Sequence, residues 1–234
     1  MVYEFKLDFY PAPRPNRTGV LVLPGGGYEF ISLENEGVEP AHWLNARGID
    51  AWVFSYPVTN NSDHVPLMSE PYLRTGEAIG RVLDSGRVDK LGVWGFSAGG
   101  HLAAMIAITT PEVKFAILAY PVISMAEGIT HNGSRRNLLG DAVGRGGRDE
   151  SSVCAEKRVN ESTPPTFLFH TANDDVVSVQ NSLSYAAAMA KHKRPFEMLI
   201  LPDGPHGAGL ALGDEKLGWT GELERWLKGS VLNS

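Results

Sequence analysis

Short apolar runs alternate along this chain with segments whose apolar residues recur at helical spacing. Strands that are covered on both faces by helices read as continuous apolar runs, whereas half-exposed strands alternate apolar and polar residues. The pattern therefore predicts an α/β fold in which a central, mostly parallel sheet is flanked by helices. The runs expected to form its strands are residues 19–23, 50–56, 91–94, 115–120, 166–170 and 196–201.

The other segments with a regular apolar pattern are predicted to form an edge strand and five helices. Residues 2–9 alternate apolar and polar side chains, as an edge strand does. Apolar residues at helical spacing predict helices at residues 36–47, 73–84, 98–108, 183–191 and 218–228.

One stretch interrupts the alternation. Residues 124–163 are polar and rich in Gly, Arg and Ser. A loop of that length inside a compact domain is usually functional. We therefore expect a single domain over residues 1–234, with residues 124–163 as an inserted flap above the functional site and a helix around residues 150–159.

Composition narrows the possible partners. With 43% hydrophobic and 21% charged residues, the chain has an ordinary globular composition. Its net charge of −6 provides no positive field to attract nucleic acid or other polyanions, so we expect no nucleic-acid partner. The single cysteine, Cys154, cannot form an internal disulfide.

The N-terminus and the hydropathy pattern bear on localisation. No uninterrupted apolar run approaches the roughly 20 residues that a membrane span requires, so no membrane partner is expected. The first ten residues lack a basic region followed by an apolar core and do not resemble a signal peptide. As written the chain is expected in the cytoplasm, and secretion stays open if a leader has been removed.

The segment Gly95-Phe96-Ser97-Ala98-Gly99 follows a predicted strand and begins a predicted helix. This is the context of a nucleophile elbow, in which a serine on a sharp turn projects its hydroxyl above the sheet. Small neighbours allow the strand and the helix to approach closely around it. The alternative is a tight turn whose serine only caps the helix.

A serine nucleophile needs a base, and the base needs an orienting carboxylate, here in the chain order serine, acid, histidine. His206 lies in a rigid loop of sequence PDGPHG directly after the last predicted strand, where its ring can reach the elbow. We predict it to be the base. The other histidines are assigned to helices, loops or strand ends: His42, His64, His101, His131, His170 and His192.

The acid is sought in the loop after the strand at residues 166–170. Adjacent carboxylates at Asp174 and Asp175 point in different directions, so only one is expected to face the histidine. Asp174 is the prediction and Asp175 is the alternative. Asp203 is too close to His206 in sequence for a good ring contact, and we expect it to fix the turn of its loop.

A glycine-rich loop follows the first buried strand. Three consecutive glycines let the backbone turn its N–H groups toward a ligand without side-chain clashes. We assign the N–H groups of Gly26, Gly27 and Ala98 as donors to a developing oxyanion. A phosphate-binding loop is disfavoured, because no Lys-Ser/Thr pair follows and no G-x-G-x-x-G pattern accompanies it.

From about Gly19 onward the chain resembles small α/β-hydrolase carbohydrate esterases, including acetylxylan and feruloyl esterases. The resemblance is carried by LVLPGGGY at residues 21–28, GFSAGGHLA at 95–103 and TPPTFLFH at 163–170. The segment THNGSRRNLLG at 130–140 is similar to the flap of acetylxylan-esterase-like members. Two departures are Pro24, where related lipases carry His, and Thr171, where Gly is usual.

This resemblance implies an α/β-hydrolase fold, a Ser97–Asp174–His206 triad, and esters of small molecules or oligosaccharides as substrates. Neither a metal nor an organic cofactor is implied, and oligomeric state is left open. We expect a short acyl group. The candidate substrate contacts are Tyr28 and Phe96 as pocket walls, His131, and Arg135, Arg136 and Asn137 as donors to sugar hydroxyls.

Two other functions use the same residues. The triad does not separate esters from amides, so a peptidase or an arylformamidase-like enzyme is the alternative function. A non-catalytic binding protein of this fold usually lacks a member of the triad, and here all three residue types are present.

Overall fold

The computed structural model describes residues 5–60, 65–140 and 150–232, and within them the strands form one seven-stranded sheet. Its strands are β1 (Lys6–Tyr10), β2 (Thr18–Leu23), β3 (Asp50–Ser55), β4 (Lys90–Phe96), β5 (Val113–Ala119), β6 (Thr166–Thr171) and β7 (Phe196–Leu201). The strand order is β1-β3-β2-β4-β5-β6-β7, with β1 antiparallel to β3 and every other pair parallel. The predicted mostly parallel sheet is confirmed.

Helices cover both faces of this sheet. They are α1 (Glu39–Asn45), α2 (Glu70–Asp84), α3 (Ser97–Thr109), α4 (Asn132–Leu139), α5 (Gln180–Lys191) and α6 (Thr220–Trp226). Side chains of α1 and α6 belong to one apolar core cluster, and those of α2, α3 and α5 belong to another. Strand β2 is buried along its whole length between these two layers, which explains its unbroken apolar sequence.

The helix predicted for residues 36–47 begins differently. A π-helical turn, Glu34–Val38, precedes α1, and the Glu39 N–H donates to the carbonyl oxygen of Glu34. Pro40 accounts for this, because it has no N–H to donate to the carbonyl of Glu36 and its ring clashes there in a regular α-helix. The π turn leaves the Glu36 side chain buried.

The inserted segment also departs from prediction. Helix α4 was not predicted, and the helix expected around residues 150–159 is instead two 3₁₀ turns, Glu150–Val153 and Ala155–Lys157. The His131 side chain caps α4 by accepting the Ser134 N–H, an arrangement outside the usual Ser, Thr, Asp and Asn caps. Residues 141–149 of the insert, residues 2–4 of the predicted edge strand and His64 lie outside the described residues.

The loops that follow β2, β4, β5, β6 and β7 all leave the same edge of the sheet. In parallel α/β sheets the carboxyl ends of the strands form the ligand-binding edge. Residues from these five loops are therefore brought together there. Within the described ranges, no helix combines the length and apolar character needed to cross a membrane.

Candidate active site

Ser97 occupies a strained backbone conformation between β4 and α3. Its φ of 51° lies in the left-handed region, which costs a non-glycine residue of the order of 1 kcal/mol. A Cβ atom on Gly95 would lie 2.3 Å from the Gly99 carbonyl oxygen, and one on Gly99 would lie 2.1 Å from the Leu23 carbonyl oxygen. Both glycines are therefore required for the strand and the helix to meet at this turn.

His206 bridges Ser97 and Asp174. Its Nε2 lies 2.8 Å from Ser97 Oγ, and its Nδ1 lies 2.7 Å from Asp174 Oδ2. A carboxylate only accepts hydrogen bonds, so Nδ1 carries the proton and Nε2 accepts from the serine hydroxyl. The structure thus brings the three predicted residues into one hydrogen-bonded chain.

The Asp174 side chain is almost fully buried, and both of its carboxylate oxygens have partners. Its Oδ1 accepts the N–H groups of Val176 at 3.0 Å and Val177 at 2.8 Å, and His170 Nε2 lies 3.4 Å from Oδ2. Burial alone would raise the pKa of Asp174, but hydrogen bonds from His170, His206 and Val177 outweigh it and hold the pKa well below its usual range. The group is therefore a carboxylate whenever the protein is folded at neutral pH.

The turn itself selects between the two adjacent aspartates. The bonds to the N–H groups of Val176 and Val177 aim the Asp174 side chain inward, while Asp175 is exposed. His170 braces this turn as predicted, because its Nε2 also donates to the Val177 carbonyl oxygen at 2.9 Å.

The loop that carries His206 is held from several sides. Thr171 Oγ1 donates to the Gly204 carbonyl oxygen at 3.1 Å, and Asn35 Nδ2 donates to the Gly207 carbonyl oxygen at 2.8 Å. Asp203 accepts a hydrogen bond from Asn173 at 2.9 Å, and this bond joins its loop to the loop after β6. Thr171 thus has a structural function in holding the loop that carries His206.

Gly26 and Gly27 both have positive φ, 125° and 66°, and both line a cleft beside Ser97. A Cβ atom on Gly26 would lie 2.0 Å from the Phe30 carbonyl oxygen, so this position requires glycine. Ala98 is the second residue of α3, and N–H groups in the first turn of a helix have no partner within the helix. The predicted oxyanion donors therefore come from the two backbone segments that flank the Ser97 side of the cleft.

The cleft has a volume of about 240 Å³ and includes His206 as well as Ser97. Phe30 and Val176 are 58% and 47% exposed at its rim. Its other lining residues are Glu29, Ser32, Glu36, His131 and Gly207.

Two predicted pocket walls are corrected by the structure. Tyr28 is fully buried beneath the glycine loop, with its hydroxyl 2.8 Å from His101 Nδ1, and it does not line the cleft. Phe96 is also fully buried, because its side chain points into the α1/α6 layer and stacks on Trp94. Neither ring can contact an acyl group bound at Ser97.

His131 lines the cleft as predicted. Its Nδ1 accepts the Ser134 N–H at 3.2 Å, so the ring proton resides on Nε2. Burial, together with the charge of nearby His206, lowers the pKa of His131, although Asp174 opposes this. A neutral imidazole N–H is thus available at the cleft.

None of the three polar residues predicted to bind sugar hydroxyls lines the cleft. Arg135 donates from Nε to the Met125 carbonyl oxygen and pairs with Glu150, both at 2.9 Å, so it stabilises the insert. Asn137 donates to the Gly27 carbonyl oxygen at 2.9 Å. Arg136 is exposed and is not among the residues that line the cleft.

Sequence reasoning missed Glu36 and Tyr120. Glu36 is buried at the cleft and accepts hydrogen bonds from the Gly25 N–H and the Tyr120 hydroxyl. The sequence did contain a signal for Glu36. It stands four residues before Pro40, and residues four apart share one face of a helix, so Glu36 falls on the apolar stripe of the predicted helix. A carboxylate on a buried stripe needs a polar partner and is a candidate for the functional site.

The part of the chain that the structure describes contains no group of three or more His, Cys, Asp or Glu side chains arranged to hold a metal ion. The arrangement that it does contain is a buried carboxylate, an oriented imidazole and a strained serine beside glycine N–H groups. Such a set can activate a hydroxyl for attack on a carbonyl carbon.

Comparisons with known proteins agree with this chemistry. The family described as the prolyl oligopeptidase family matches residues 82–232. An acetylxylan esterase from Xylanibacter ruminicola is 34% identical over 205 residues, which cover 83% of this chain and 42% of that protein. The chain spans less than half the length of the curated relatives it matches.

Solved structures support the fold. An acetyl ester-xyloside bifunctional hydrolase from Caldicellulosiruptor lactoaceticus matches with a TM-score of 0.82 at 33% identity, covering 97% of this chain and 88% of that one. An alpha/beta hydrolase enzyme from a Medee basin deep-sea metagenome library matches with a TM-score of 0.77 at 25% identity, covering 98% and 93%. The architecture is that of an α/β-hydrolase.

Proposed function

The chain belongs to the prolyl oligopeptidase family, and from that premise we propose that it is a serine carboxylesterase. Its substrates are short-chain acyl esters, acetyl esters above all, on carbohydrate such as acetylated xylan. The observation that carries this proposal is the hydrogen-bonded chain from Ser97 Oγ through the His206 ring to Asp174, at 2.8 and 2.7 Å.

The mechanism follows from the protonation states. His206 Nε2 takes the proton from Ser97 Oγ as that oxygen attacks the ester carbonyl carbon, and the Asp174 carboxylate stabilises the imidazolium that forms. The same Nε2–H then protonates the leaving sugar oxygen, and the acyl group stays on Ser97. Water, deprotonated by His206, attacks the acyl carbonyl carbon, and His206 returns that proton to Ser97 Oγ as the carboxylic acid leaves.

Charge also develops on the carbonyl oxygen during both attacks. The N–H groups of Gly26, Gly27 and Ala98 are the proposed donors to this oxyanion. Donors of this kind contribute to the rate because they are already oriented when the charge forms, and removal of one donor in related chemistry costs about 10²–10³-fold in kcat.

Two observations support a small acyl group and a carbohydrate alcohol. The cleft at Ser97 has a volume of only about 240 Å³, below the common range for drug-sized ligands. The relatives described above are named for acetylxylan and acetyl ester-xyloside hydrolysis. Neutral His131, with its Nε2–H at the cleft, is the proposed donor to a substrate oxygen.

The first experiment replaces the nucleophile. Ser97→Ala should lose nearly all hydrolysis of 4-nitrophenyl acetate and all labelling by a fluorophosphonate, while its circular dichroism spectrum matches the wild type. Ser162→Ala, at an exposed serine away from the cleft, is the matched control and should retain full activity. Wild-type turnover by Ser97→Ala would refute the proposal.

The second experiment identifies the substrate. Acetate release should be measured from acetylated xylan, acetylated glucomannan, acetylated pectin and 4-nitrophenyl esters of increasing chain length. We expect acetate to be preferred to octanoate and acetylated xylan to be the best polysaccharide. A preference for octanoate would contradict the small-acyl proposal.

An amide hydrolase is the second candidate function. The family match favours it, because that family is named for an oligopeptidase, and the triad chemistry does not separate esters from amides. Peptide 4-nitroanilides and N-formyl arylamides should be compared with 4-nitrophenyl acetate at equal concentration. A higher kcat/KM for an amide would replace the esterase proposal.

A further inference from the structure

We propose that Glu36 is a positioning residue for the esterase reaction, in which one buried carboxylate fixes both the oxyanion loop and the loop that carries His206. This rests on the proposed function of the same site and adds a residue outside the triad. The geometry that supports it is a branched hydrogen-bond network with Glu36 at its centre.

The first branch reaches the oxyanion loop. Glu36 Oε2 accepts the Gly25 N–H at 2.8 Å, and Gly25 is joined directly to Gly26. The Tyr56 hydroxyl donates to the neighbouring Pro24 carbonyl oxygen at 2.6 Å. The peptide that leads into the oxyanion loop is therefore bonded on both sides, which limits its rotation.

The second branch reaches the catalytic histidine. Glu36 Oε1 accepts the Tyr120 hydroxyl at 2.7 Å, and the Tyr120 oxygen accepts the Gly209 N–H at 2.8 Å. The Tyr120 ring also packs edge-on against the His206 ring, with centroids 5.1 Å apart. Glu36 is thus linked to the His206 loop through Tyr120.

The directions of these bonds define the ionisation state. The oxygen of Tyr120 accepts the Gly209 N–H, so its single proton is directed to Glu36, and the Gly25 N–H can only donate. Both oxygens of Glu36 are therefore acceptors, as in a carboxylate. Burial is the largest influence and raises the pKa of Glu36 above its usual value, although the bonds from Tyr120, Gly25 and Ser32 and the charge of His206 act in the opposite direction.

Two residues of the site have strained backbones, which indicates that the surrounding contacts fix their positions. Tyr120, directly after β5, has a φ of 37°, and Ser97, directly after β4, has a φ of 51°. Strained non-glycine residues persist only where the surrounding contacts over-determine them, and they cluster at functional sites. Tyr120 places its hydroxyl between Glu36 and Gly209 from this strained position.

The negative charge also acts on His206. The titratable groups near His206 are Asp174, which is bonded to its Nδ1, Tyr120, which packs edge-on against its ring, and Glu36 and His131, which line the same cleft. A buried carboxylate favours the imidazolium that forms during the reaction.

The test compares Glu36→Gln with Glu34→Gln, an exposed glutamate in the same π turn. Glu36→Gln keeps the shape but turns one acceptor into a donor. We expect kcat for 4-nitrophenyl acetate to fall about tenfold to a hundredfold while KM changes little. Glu34→Gln should match the wild type in every measurement.

Tyr120→Phe separates the two branches, because it removes the link to Gly209 and leaves the link to Gly25. It should lower kcat by less than Glu36→Gln does. The double variant should lose less than the product of the two single losses, since both residues act in one network. Multiplicative losses, or a Glu36→Gln enzyme with wild-type kcat, would overturn the proposal.

Two further measurements distinguish failure of the Glu36 proposal from failure of the proposed function and from a folding defect. The rate of fluorophosphonate labelling measures the reactivity of Ser97, which depends on this network, and it needs no ester substrate. It therefore applies even if no natural ester is turned over. If Glu36→Gln does not fold, as judged by circular dichroism, Tyr120→Phe decides the question alone. A wild-type labelling rate in folded Tyr120→Phe would then contradict the positioning role.

Discussion

Asn137 donates a hydrogen bond from its side-chain amide to the carbonyl oxygen of Gly27, with 2.9 Å between the two atoms. The bond joins α4 of the inserted segment to the loop that carries the proposed oxyanion donors. The Leu67 N–H donates in turn to the Asn137 carbonyl oxygen at 3.0 Å, so this residue is held from both sides. The insert therefore supports the glycine loop of the proposed reaction centre.

Asn137→Ala should lower kcat for 4-nitrophenyl acetate about fivefold, since a neutral hydrogen bond contributes about 1 kcal/mol. The loss should be the same for acetylated xylo-oligosaccharides, because it arises at the oxyanion loop. Asn132→Ala, at the exposed start of α4, is the matched control. A loss seen only with the oligosaccharides would instead indicate that Asn137 contacts sugar.

Asp174→Asn should reduce kcat by about 10³–10⁴-fold, because the neutral amide no longer selects the histidine tautomer that accepts the serine proton. Asp175→Asn is the matched control at the adjacent exposed residue and should leave kcat close to wild type. Both variants can be compared by steady-state hydrolysis of 4-nitrophenyl acetate. Equal losses in the two variants would show that the acid was assigned to the wrong residue.

His101 should make the fold sensitive to acid. Burial lowers the pKa of His101 from 6.5 to about 4, although its bond to the Val153 carbonyl oxygen opposes this. Below pH 6.5 the unfolded chain binds a proton that the folded protein excludes, so stability is lost as pH falls from 6.5 toward 4. The contribution of this one group is roughly 3 kcal/mol over that window.

Urea unfolding at a series of pH values checks this expectation. His101→Gln should be less stable at neutral pH, but its unfolding free energy should fall less steeply between pH 6.5 and 4. His192→Gln, at a partly exposed histidine beside Glu161, should keep the wild-type slope. An unchanged slope in His101→Gln would count against the buried neutral state.

Two glycine substitutions should have opposite effects on stability. A Cβ atom on Gly99 would lie within 2.1 Å of the Leu23 carbonyl oxygen and 2.3 Å of the Pro24 carbonyl oxygen, which are backbone atoms that cannot move aside. Gly99→Ala should therefore lower the unfolding free energy by more than about 3 kcal/mol. Gly76→Ala, on the exposed side of α2 with nothing within 4 Å, should raise it by about 0.5–1 kcal/mol.

The same urea titration measures both glycine variants. A Gly99→Ala protein as stable as the wild type would show that β4 and α3 can separate at the elbow. Loss of stability in Gly76→Ala would mean that α2 makes contacts through that surface.

The strands of the parallel sheet were predictable because each is a local apolar run with a local stop signal. The observed β2 and β7 differ from the predicted residues 19–23 and 196–201 by at most one residue. Helix α4 was not predictable in the same way, because its sequence contains glycine and few apolar residues. It depends on the His131 cap and on the bond from Asn137 to Gly27, and the second of these is a contact across 110 positions of the chain.

Side-chain direction is the other property that sequence reasoning could not supply. Tyr28 and Phe96 lie next to predicted site residues in the chain, yet each points away from the cleft. Phe96 follows the alternation of β4 and joins Trp94 in the α1/α6 layer, an outcome that the period of the strand could have indicated. The direction of Tyr28 depends on its bond to His101, which α3 brings near.

The sequence by itself determined the sheet, the elbow at Ser97 and the order of serine, acid and histidine, because these depend on local apolar runs, glycines and turns. Only the tertiary structure brought His206 to Asp174 and Tyr120 to Glu36. The physical reason is that both outcomes depend on where hydrogen-bond donors from distant segments converge. The Asp174 carboxylate bonds to His206 from 32 positions away, and the Glu36 carboxylate accepts from Tyr120 from 84 positions away.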